Sequence, residues 1–131
     1  MLLNTEDIQL MNAFESITRV IAVDCFQAED TIVFLVKHGQ LGKAIGKGGE
    51  TINRARRKFG KRLAIFENSD NPRDFVIKAC KPLRANPNIG DEIRIDVPRG
   101  QREEISGRQI RILKELIKRK LNVSKVDFVF V

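Results

Sequence analysis

The chain contains no tryptophan, no tyrosine, one histidine and two cysteines among its 131 residues. A single histidine excludes zinc sites built from several His and Cys ligands, and it leaves Ser–His or Cys–His catalysis without the residues it needs. Cys25 and Cys80 lie far apart inside apolar segments, so we expect two small buried side chains. No constellation of catalytic residues is visible. We therefore expect a protein that is not an enzyme and needs no cofactor or metal.

Long apolar runs are also missing. No segment is long and apolar enough to cross a bilayer, and residues 1–7 lack a secretory pattern. These features predict a cytoplasmic protein with no membrane partner. A chain of this length forms one average domain or two small ones.

Acidic side chains are scarce in one part of the chain. Residues 1–36 hold six acidic side chains and one arginine, whereas residues 37–62 hold nine cationic side chains and one glutamate. The formal net charge of +7 is thus concentrated in the second of these segments. A basic region of this kind is typical of proteins that bind a polyanion such as nucleic acid.

The basic region surrounds a glycine-rich stretch. Residues 45–52 read Ile-Gly-Lys-Gly-Gly-Glu-Thr-Ile and have the form I-G-x-x-G-x-x-I. Glycine allows a sugar–phosphate backbone to approach closely and tolerates the positive φ of a tight turn. A helix beginning near Gly49 would direct its free N–H groups at the loop and favour an anion there. The simpler interpretation, in which the glycines only make a turn between helices, stays open.

A nucleotide-binding P-loop is the other explanation for the Gly-Lys pair in this stretch. That motif requires glycine five positions before the pair and Ser or Thr after it. Leu41 and Gly48 occupy those two positions, so the sequence excludes a P-loop.

The glycine motif and the basic helix after it resemble the signature of a KH domain, an RNA-binding module in which a glycine loop joins two helices. The resemblance implies that the loop clamps about four nucleotides of single-stranded RNA. Glycines and a lysine would grip the backbone, two isoleucines would line the groove, and the other cations would attract RNA. The expected contact residues are Lys43, Ile45, Gly46, Lys47, Gly48, Gly49, Ile52, Arg54, Arg56, Arg57 and Arg62.

Hydrophobic periodicity around the loop predicts the order helix, two strands, two helices, strand. Apolar residues at helical spacing predict the first helix. The β-branched segments 20–26 and 31–36 predict a hairpin. The helix after the loop spans about residues 49–59, and residues 62–66 form the last strand. This order is the type II KH arrangement.

The basic side chains of the helix after the loop have two interpretations. Arg54, Arg57 and Lys58 fall opposite its apolar face. They are therefore either a solvated helix face or a surface for RNA or another partner.

A similar order of elements follows in the second half. Residues 73–80 and 107–121 have helical periodicity, and residues 92–97 and 126–131 alternate as strands, whereas residues 86–90 are predicted as a turn. We therefore predict an α+β fold of two tandem type II KH domains, α-β-β-α-α-β each, with three-stranded sheets packed by helices. The predicted domains span residues 1–68 and 69–131.

The second half lacks the glycine loop. Residues 104–107 read Glu-Ile-Ser-Gly where residues 46–49 read Gly-Lys-Gly-Gly. Glu104 blocks close approach of a backbone and repels phosphate. We expect the second copy to have lost the clamp.

Two tandem type II KH domains in a short basic chain resemble the RNA-binding core of the NusA family, and the short archaeal NusA-like proteins in particular. The loop and the joint at residues 67–72 both look like the first KH domain of this family. The resemblance implies a role in transcription elongation or termination through nascent RNA, possible association with RNA polymerase, and a monomer. Two alternatives remain open: a KH protein that acts on ribosomal RNA, and a protein–protein adaptor that retains only the KH scaffold.

Overall fold

The computed structural model describes residues 3–131. The first two residues of the predicted first domain lie outside the described residues. The described residues divide into two units, with the boundary between Ser69 and Asp70.

The first unit follows the predicted order of elements. Asn4 caps the first helix, because its side chain accepts a hydrogen bond from the Asp7 amide at 2.8 Å and the Asp7 carboxylate accepts one from the Asn4 amide. The left-handed residue Arg19 ends that helix. The elements are α1 (Thr5–Thr18), β1 (Ala22–Ala28), β2 (Thr31–Val36), α2 (Leu41–Ile45), α3 (Glu50–Phe59) and β3 (Arg62–Glu67).

The sheet of the first unit has the order β1-β2-β3. The first pair of strands is antiparallel and the second pair is parallel, with Thr31 opposite Arg62 and Val36 opposite Glu67. The core includes Phe14 of α1, whose ring stacks on Phe34 of β2 at a centroid distance of 4.2 Å. This packing places α1 against the sheet, and the strand order leaves β3 at one edge.

The second unit repeats the sheet topology. The pair β4–β5 is antiparallel and the pair β5–β6 is parallel. Alternate residues of β5 are buried, and α4 and α5 contact one another. The elements are α4 (Pro72–Ala79), β4 (Asn86–Ile89), β5 (Ile93–Val97), a 3₁₀ helix (Arg99–Glu104), α5 (Gly107–Leu121) and β6 (Val126–Phe130). The predicted α+β class with three-stranded sheets is confirmed.

Two elements of the second unit differ from the prediction. The predicted turn at residues 86–90 is wrong, because Asn86–Ile89 forms strand β4. Pro87 is tolerated there since β4 is an edge strand, where the missing N–H breaks no inner ladder. Where the repeated order requires a further α-helix, the chain forms the 3₁₀ helix Arg99–Glu104, which follows Pro98 and contains Gly100.

Candidate nucleic-acid interface

The glycine loop is a tight connection between α2 and α3. The Gly46 amide donates to the Gly42 carbonyl at 2.9 Å, and the Gly49 amide donates to the Gly46 carbonyl at 3.1 Å. Gly46 has φ 79° and ψ 169°, a combination that is essentially restricted to glycine. Gly48 and Gly49 are also at positive φ, 61° and 77°. Three of the four loop residues thus have a backbone conformation that disfavours other residues.

The glycines differ in what surrounds them. A Cβ built on Gly46 would lie 2.8 Å from the backbone nitrogen of Thr51 and 2.7 Å from its Cβ, so this position has no room for a side chain. A Cβ built on Gly48 would meet nothing within 4 Å. Gly46 therefore allows the chain to pack, whereas Gly48 leaves exposed backbone that a ligand can approach.

Helix α3 begins at this loop without a side-chain cap. Its N-cap residue is Gly49, and no side chain accepts a hydrogen bond at the cap. The free N–H groups and positive dipole of a helix N-terminus favour an anion. Glu50 in the first turn already offsets part of that field. The backbone of this end is nevertheless open to an acceptor from outside the chain.

The loop is held against the sheet by Glu67 at the end of β3. One carboxylate oxygen of Glu67 accepts hydrogen bonds from the amides of Gly39 at 2.9 Å and Leu41 at 3.3 Å. Helix α2 has no side-chain cap from its own N-cap residue, Gln40. A residue from the edge strand therefore caps the helix that leads into the loop, which explains how so short a helix is positioned.

The predicted residues nearest the loop occupy two environments. Lys43 and Lys47 are exposed, so both ammonium groups are free to reach a ligand. Ile45 is half-buried and Ile52 is buried with 9% exposure. Ile52 packs beneath the loop, while Ile45 keeps apolar surface that a base can contact.

The predicted arginines fall into separate groups. Arg56 and Arg62 line one surface cavity of about 560 Å³, at the end of α3 remote from the loop. Arg54 lines a different cavity, between α3 and α1, and its guanidinium donates to the Ile17 carbonyl at 3.2 Å. Arg57 is exposed. The structure thus does not gather these four side chains at the loop, and Arg54 has a structural partner at the end of α1.

A polar residue that the sequence analysis did not select lies beside the loop. The Asn53 amide nitrogen is 3.7 Å from a Cβ built on Gly49. Its amide oxygen accepts a hydrogen bond from Arg56 at 3.0 Å. The spacing of four residues from Gly49 is the signal that could have identified it, because such residues share one flank of a helix.

Comparison with protein families identifies the chain. The model of the KH domain matches residues 10–127. The chain belongs to the KH domain family.

Curated relatives narrow this assignment to archaeal proteins. "Probable transcription termination protein NusA" of Methanocaldococcus jannaschii is 42% identical over 82 residues, which are 63% of this chain and 45% of that relative. The protein with the same description from Thermoplasma acidophilum is 27% identical over 128 residues, covering 87% of this chain and 85% of its own length. The predicted resemblance to archaeal NusA-like proteins is confirmed. The chain spans about half the length of the first of these relatives.

A solved structure supports the fold of the whole chain. The crystal structure of APE1850 matches with a TM-score of 0.83 at 24% identity, covering 97% of this chain and 100% of that one. At this level of identity the match shows that the two chains share a fold.

In the second unit, side chains cap the helix N-terminus at the position that corresponds to the loop. Helix α5 is capped by Ser106, whose hydroxyl accepts from the Gln109 amide at 3.1 Å, while the Gln109 side chain accepts from the Ser106 amide at 2.8 Å. This capping box provides side-chain caps of a kind that α3 lacks. Glu104, the residue that takes the place of the first loop glycine, is exposed.

Further features of the described part of the chain concern metal-ligating groups, membrane-spanning helices and cysteines. Between residues 3 and 131, no group of three or more His, Cys, Asp or Glu side chains is arranged to hold a metal ion. None of the helices in that range could span a membrane. Cys25 and Cys80 are both buried, and burial raises the pKa of the Cys80 thiol to about 12.

Proposed function

We propose that the chain binds single-stranded RNA through the loop of residues 46–49 and acts in the cytoplasm as a NusA-like protein in transcription elongation or termination. The observation that carries the proposal is the geometry of the loop. Gly48 exposes backbone, Gly49 leaves the N-terminus of α3 uncapped, and Lys47 stands exposed between the glycines. An RNA phosphate group supplies the negative charge and the acceptor oxygens that this arrangement lacks.

The finer architecture belongs to the same proposal. We propose two tandem type II KH domains, predicted as residues 1–68 and 69–131. The identical strand order and strand directions of the two sheets support this assignment. The capping box at Ser106 supports loss of the clamp from the second domain.

The role in transcription is supported by the descriptions of the relatives. The proteins of M. jannaschii and T. acidophilum are each described as a probable transcription termination protein. We correspondingly propose that this chain, as a monomer, binds nascent RNA near RNA polymerase. RNA crosslinked to the protein in cells is expected to consist of nascent transcripts, and recovery of mature ribosomal RNA instead would contradict this role.

The loop itself is tested by the double substitution Lys47→Asp/Gly48→Asp. Asp tolerates the left-handed conformation at position 48, so the fold is expected to survive. Two carboxylates at the clamp should repel phosphate, and we expect loss of binding to a short single-stranded RNA in fluorescence anisotropy titrations.

A matched control makes the same change of charge elsewhere. In Gly100→Asp/Lys125→Asp, position 100 has open space around it and Lys125 is exposed. This control should bind RNA close to normally. Unchanged affinity of the loop variant, with circular dichroism like that of the unsubstituted chain, would refute the assignment of the site.

A further inference from the structure

A group of cations surrounds a surface cavity between α1 and α3, which we call the α1–α3 cavity. It has a volume of about 360 Å³ and is lined by Ser16, Ile17, Thr18, Arg19, Arg54 and Lys58. Arg54 and Lys58 are four residues apart and therefore share one side of α3. None of the described residues that line this cavity is acidic.

Two of the three cations are fixed in place by the backbone. The Arg54 guanidinium donates to the Ile17 carbonyl at 3.2 Å, which ties α3 to the last turn of α1. Arg19 is left-handed at φ 62°, and its amide donates to the Glu15 carbonyl at 2.8 Å. Lys58 is exposed, so its ammonium can reach a ligand. The C-terminal end of a helix carries only about half a negative charge, so three cations leave the cavity strongly positive.

Hydrogen-bond acceptors lie next to these cations. An adjoining cavity of about 410 Å³ is lined by Asn12, Glu15, Ser16 and Arg19, so that Arg19 borders both cavities. The carboxylate of Glu15 and the side-chain oxygens of Asn12 and Ser16 accept hydrogen bonds. Glu15 would repel a phosphate group, whereas it can accept from the N–H group of a peptide. The two cavities together therefore fit a ligand that carries both carboxylates and N–H donors.

Exposed aliphatic side chains follow Arg19 along the chain. Ile21 is 54% exposed and Val23 is 37% exposed, whereas the intervening Val20 is buried. Two residues of chain span at most about 7 Å, so Ile21 lies within reach of a ligand bound at Arg19. Aliphatic surface beside a cationic cavity fits a ligand that has both apolar and acidic side chains.

From this arrangement we infer that the α1–α3 cavity binds an acidic segment of a partner protein. Carboxylates of the segment meet Arg19, Arg54 and Lys58, and its aliphatic side chains pack on Ile21. Charge complementarity selects a polyanion, and the neighbouring acceptors and aliphatic surface select a peptide. RNA fits less well, because its sugar–phosphate backbone offers mainly acceptors and the described lining residues include no aromatic ring on which a base could stack. The inference goes beyond the proposed function, since RNA binding at the loop does not require it.

The test is an NMR titration of the isotope-labelled chain with defined probes. The main probe is a short synthetic peptide of Glu and Leu residues. One control peptide has Gln in place of every Glu, a second has Ser in place of every Leu, and a short single-stranded RNA is the fourth probe. Backbone amide shifts are followed at residues 15–21 and 54–58, which flank the cavity, and at residues 46–49 of the loop.

Each probe has its own expected result. The Glu–Leu peptide should shift the amides of residues 15–21 and 54–58 and leave those of residues 46–49 in place. The Gln–Leu peptide should not bind, and the Glu–Ser peptide should bind several-fold more weakly than the Glu–Leu peptide. RNA should shift the loop amides, and the Glu–Leu peptide should stay bound when RNA is added, because the loop does not line the cavity.

Two charge-matched variants locate the binding energy. Arg19→Gln/Lys58→Gln removes two positive charges from the cavity and keeps Arg54, whose hydrogen bond holds α3 to α1. It should raise the Kd of the Glu–Leu peptide roughly five- to tenfold. Lys81→Gln/Arg84→Gln removes two exposed cations from the second unit and should leave that Kd unchanged.

Ile21→Ser tests the aliphatic contact separately from the charges. It should weaken binding of the Glu–Leu peptide and leave binding of the Glu–Ser peptide as it is. Because Ile21 is exposed, the fold should tolerate this change. Circular dichroism checks that every variant is folded.

Several outcomes would overturn the inference. Equal weakening by the two charge variants, or peptide shifts at residues 46–49 as large as those at residues 15–21, would show attraction by net charge alone. A Glu–Leu peptide that shifts none of these amides would show that the cavity does not bind acidic segments. RNA that shifts residues 15–21 more than the peptide does would assign the cavity to nucleic acid. RNA that shifts no amide would instead refute the proposed function, and the peptide result would stand independently of it.

Discussion

Gly46 and Gly48 lie two residues apart in one loop, yet alanine substitution should affect them very differently. At Gly46 the new Cβ would overlap Thr51, lying 2.8 Å from its backbone nitrogen. That nitrogen belongs to the first turn of α3 and cannot move without displacing the helix. At Gly48 the new Cβ would enter open space, so only the backbone conformation opposes it.

The magnitudes follow from these two situations. Gly46 has φ 79° and ψ 169°, a region that costs a residue with a side chain about 1–3 kcal/mol. The overlap with Thr51 adds about 1–3 kcal/mol, as overpacking typically does. Gly48, at φ 61° and ψ 20°, should cost only the left-handed penalty of about 1–2 kcal/mol. Taking the middle of each range, Gly46→Ala is therefore expected to destabilise the first unit by roughly 2–3 kcal/mol more than Gly48→Ala.

Urea denaturation measures this difference in the free energy of unfolding. The chain has neither Trp nor Tyr, so the transition is best followed by backbone amide NMR signals of the first unit. Gly48→Ala also tests whether the bare backbone binds the ligand, because this variant should stay folded while its RNA affinity falls. Equal stability of the two variants would refute the account of the loop as one packed glycine followed by an exposed one.

Two further predictions concern residues outside the loop. The pKa of the Cys80 thiol is raised from 9.0 to about 12, so the folded state retains a proton that the unfolded state releases. This proton contributes to the free energy of unfolding, and its contribution is complete below pH 9.0 and falls as the pH rises. Urea denaturation should show an extra loss of roughly 1 kcal/mol in the free energy of unfolding between about pH 8 and about pH 10, and Cys80→Ala should lack this loss. Glu67→Ala should cost about 1–2 kcal/mol, because it removes the cap of α2. Hydrogen exchange at the Gly39 and Leu41 amides should accelerate, and Glu67→Gln should restore part of the protection; unchanged exchange in Glu67→Ala would contradict the role as a cap.

Much of the fold could be predicted because local sequence and tertiary structure agree. The apolar, β-branched run of β2 and the helical periodicity of α5 identify these elements almost to the residue. The edge strand β4 could not be predicted, because Asn and Pro disfavour strands and only its pairing with β5 makes it one. Arg73 helps to hold that strand, donating to the Pro87 carbonyl at 2.7 Å, a contact that no local pattern reveals.

The candidate site likewise combines features that the local sequence reveals with features that depend on tertiary neighbours. The glycine motif identified the loop, because backbone conformation at positive φ is a local property that glycine marks in the sequence. The grouping of cations depends on which neighbours each flank of α3 meets. Arg54 and Arg56 are two residues apart and so point to opposite flanks, one towards α1 and one towards the cavity beside β3. Glu67 was out of reach for a different reason, since its partners lie 28 and 26 positions away.

Because α3 and α5 begin differently, a bound anion should change the stability of only one of the two units. At α5 the Ser106–Gln109 pair already satisfies the first turn, so an incoming anion would have to break existing bonds to be accepted. At α3 no side chain makes a cap hydrogen bond, so an anion bound there would have no side-chain cap to displace. Ligand would therefore raise the resistance of residues 3–69 to unfolding while leaving the stability of the second unit nearly as it was.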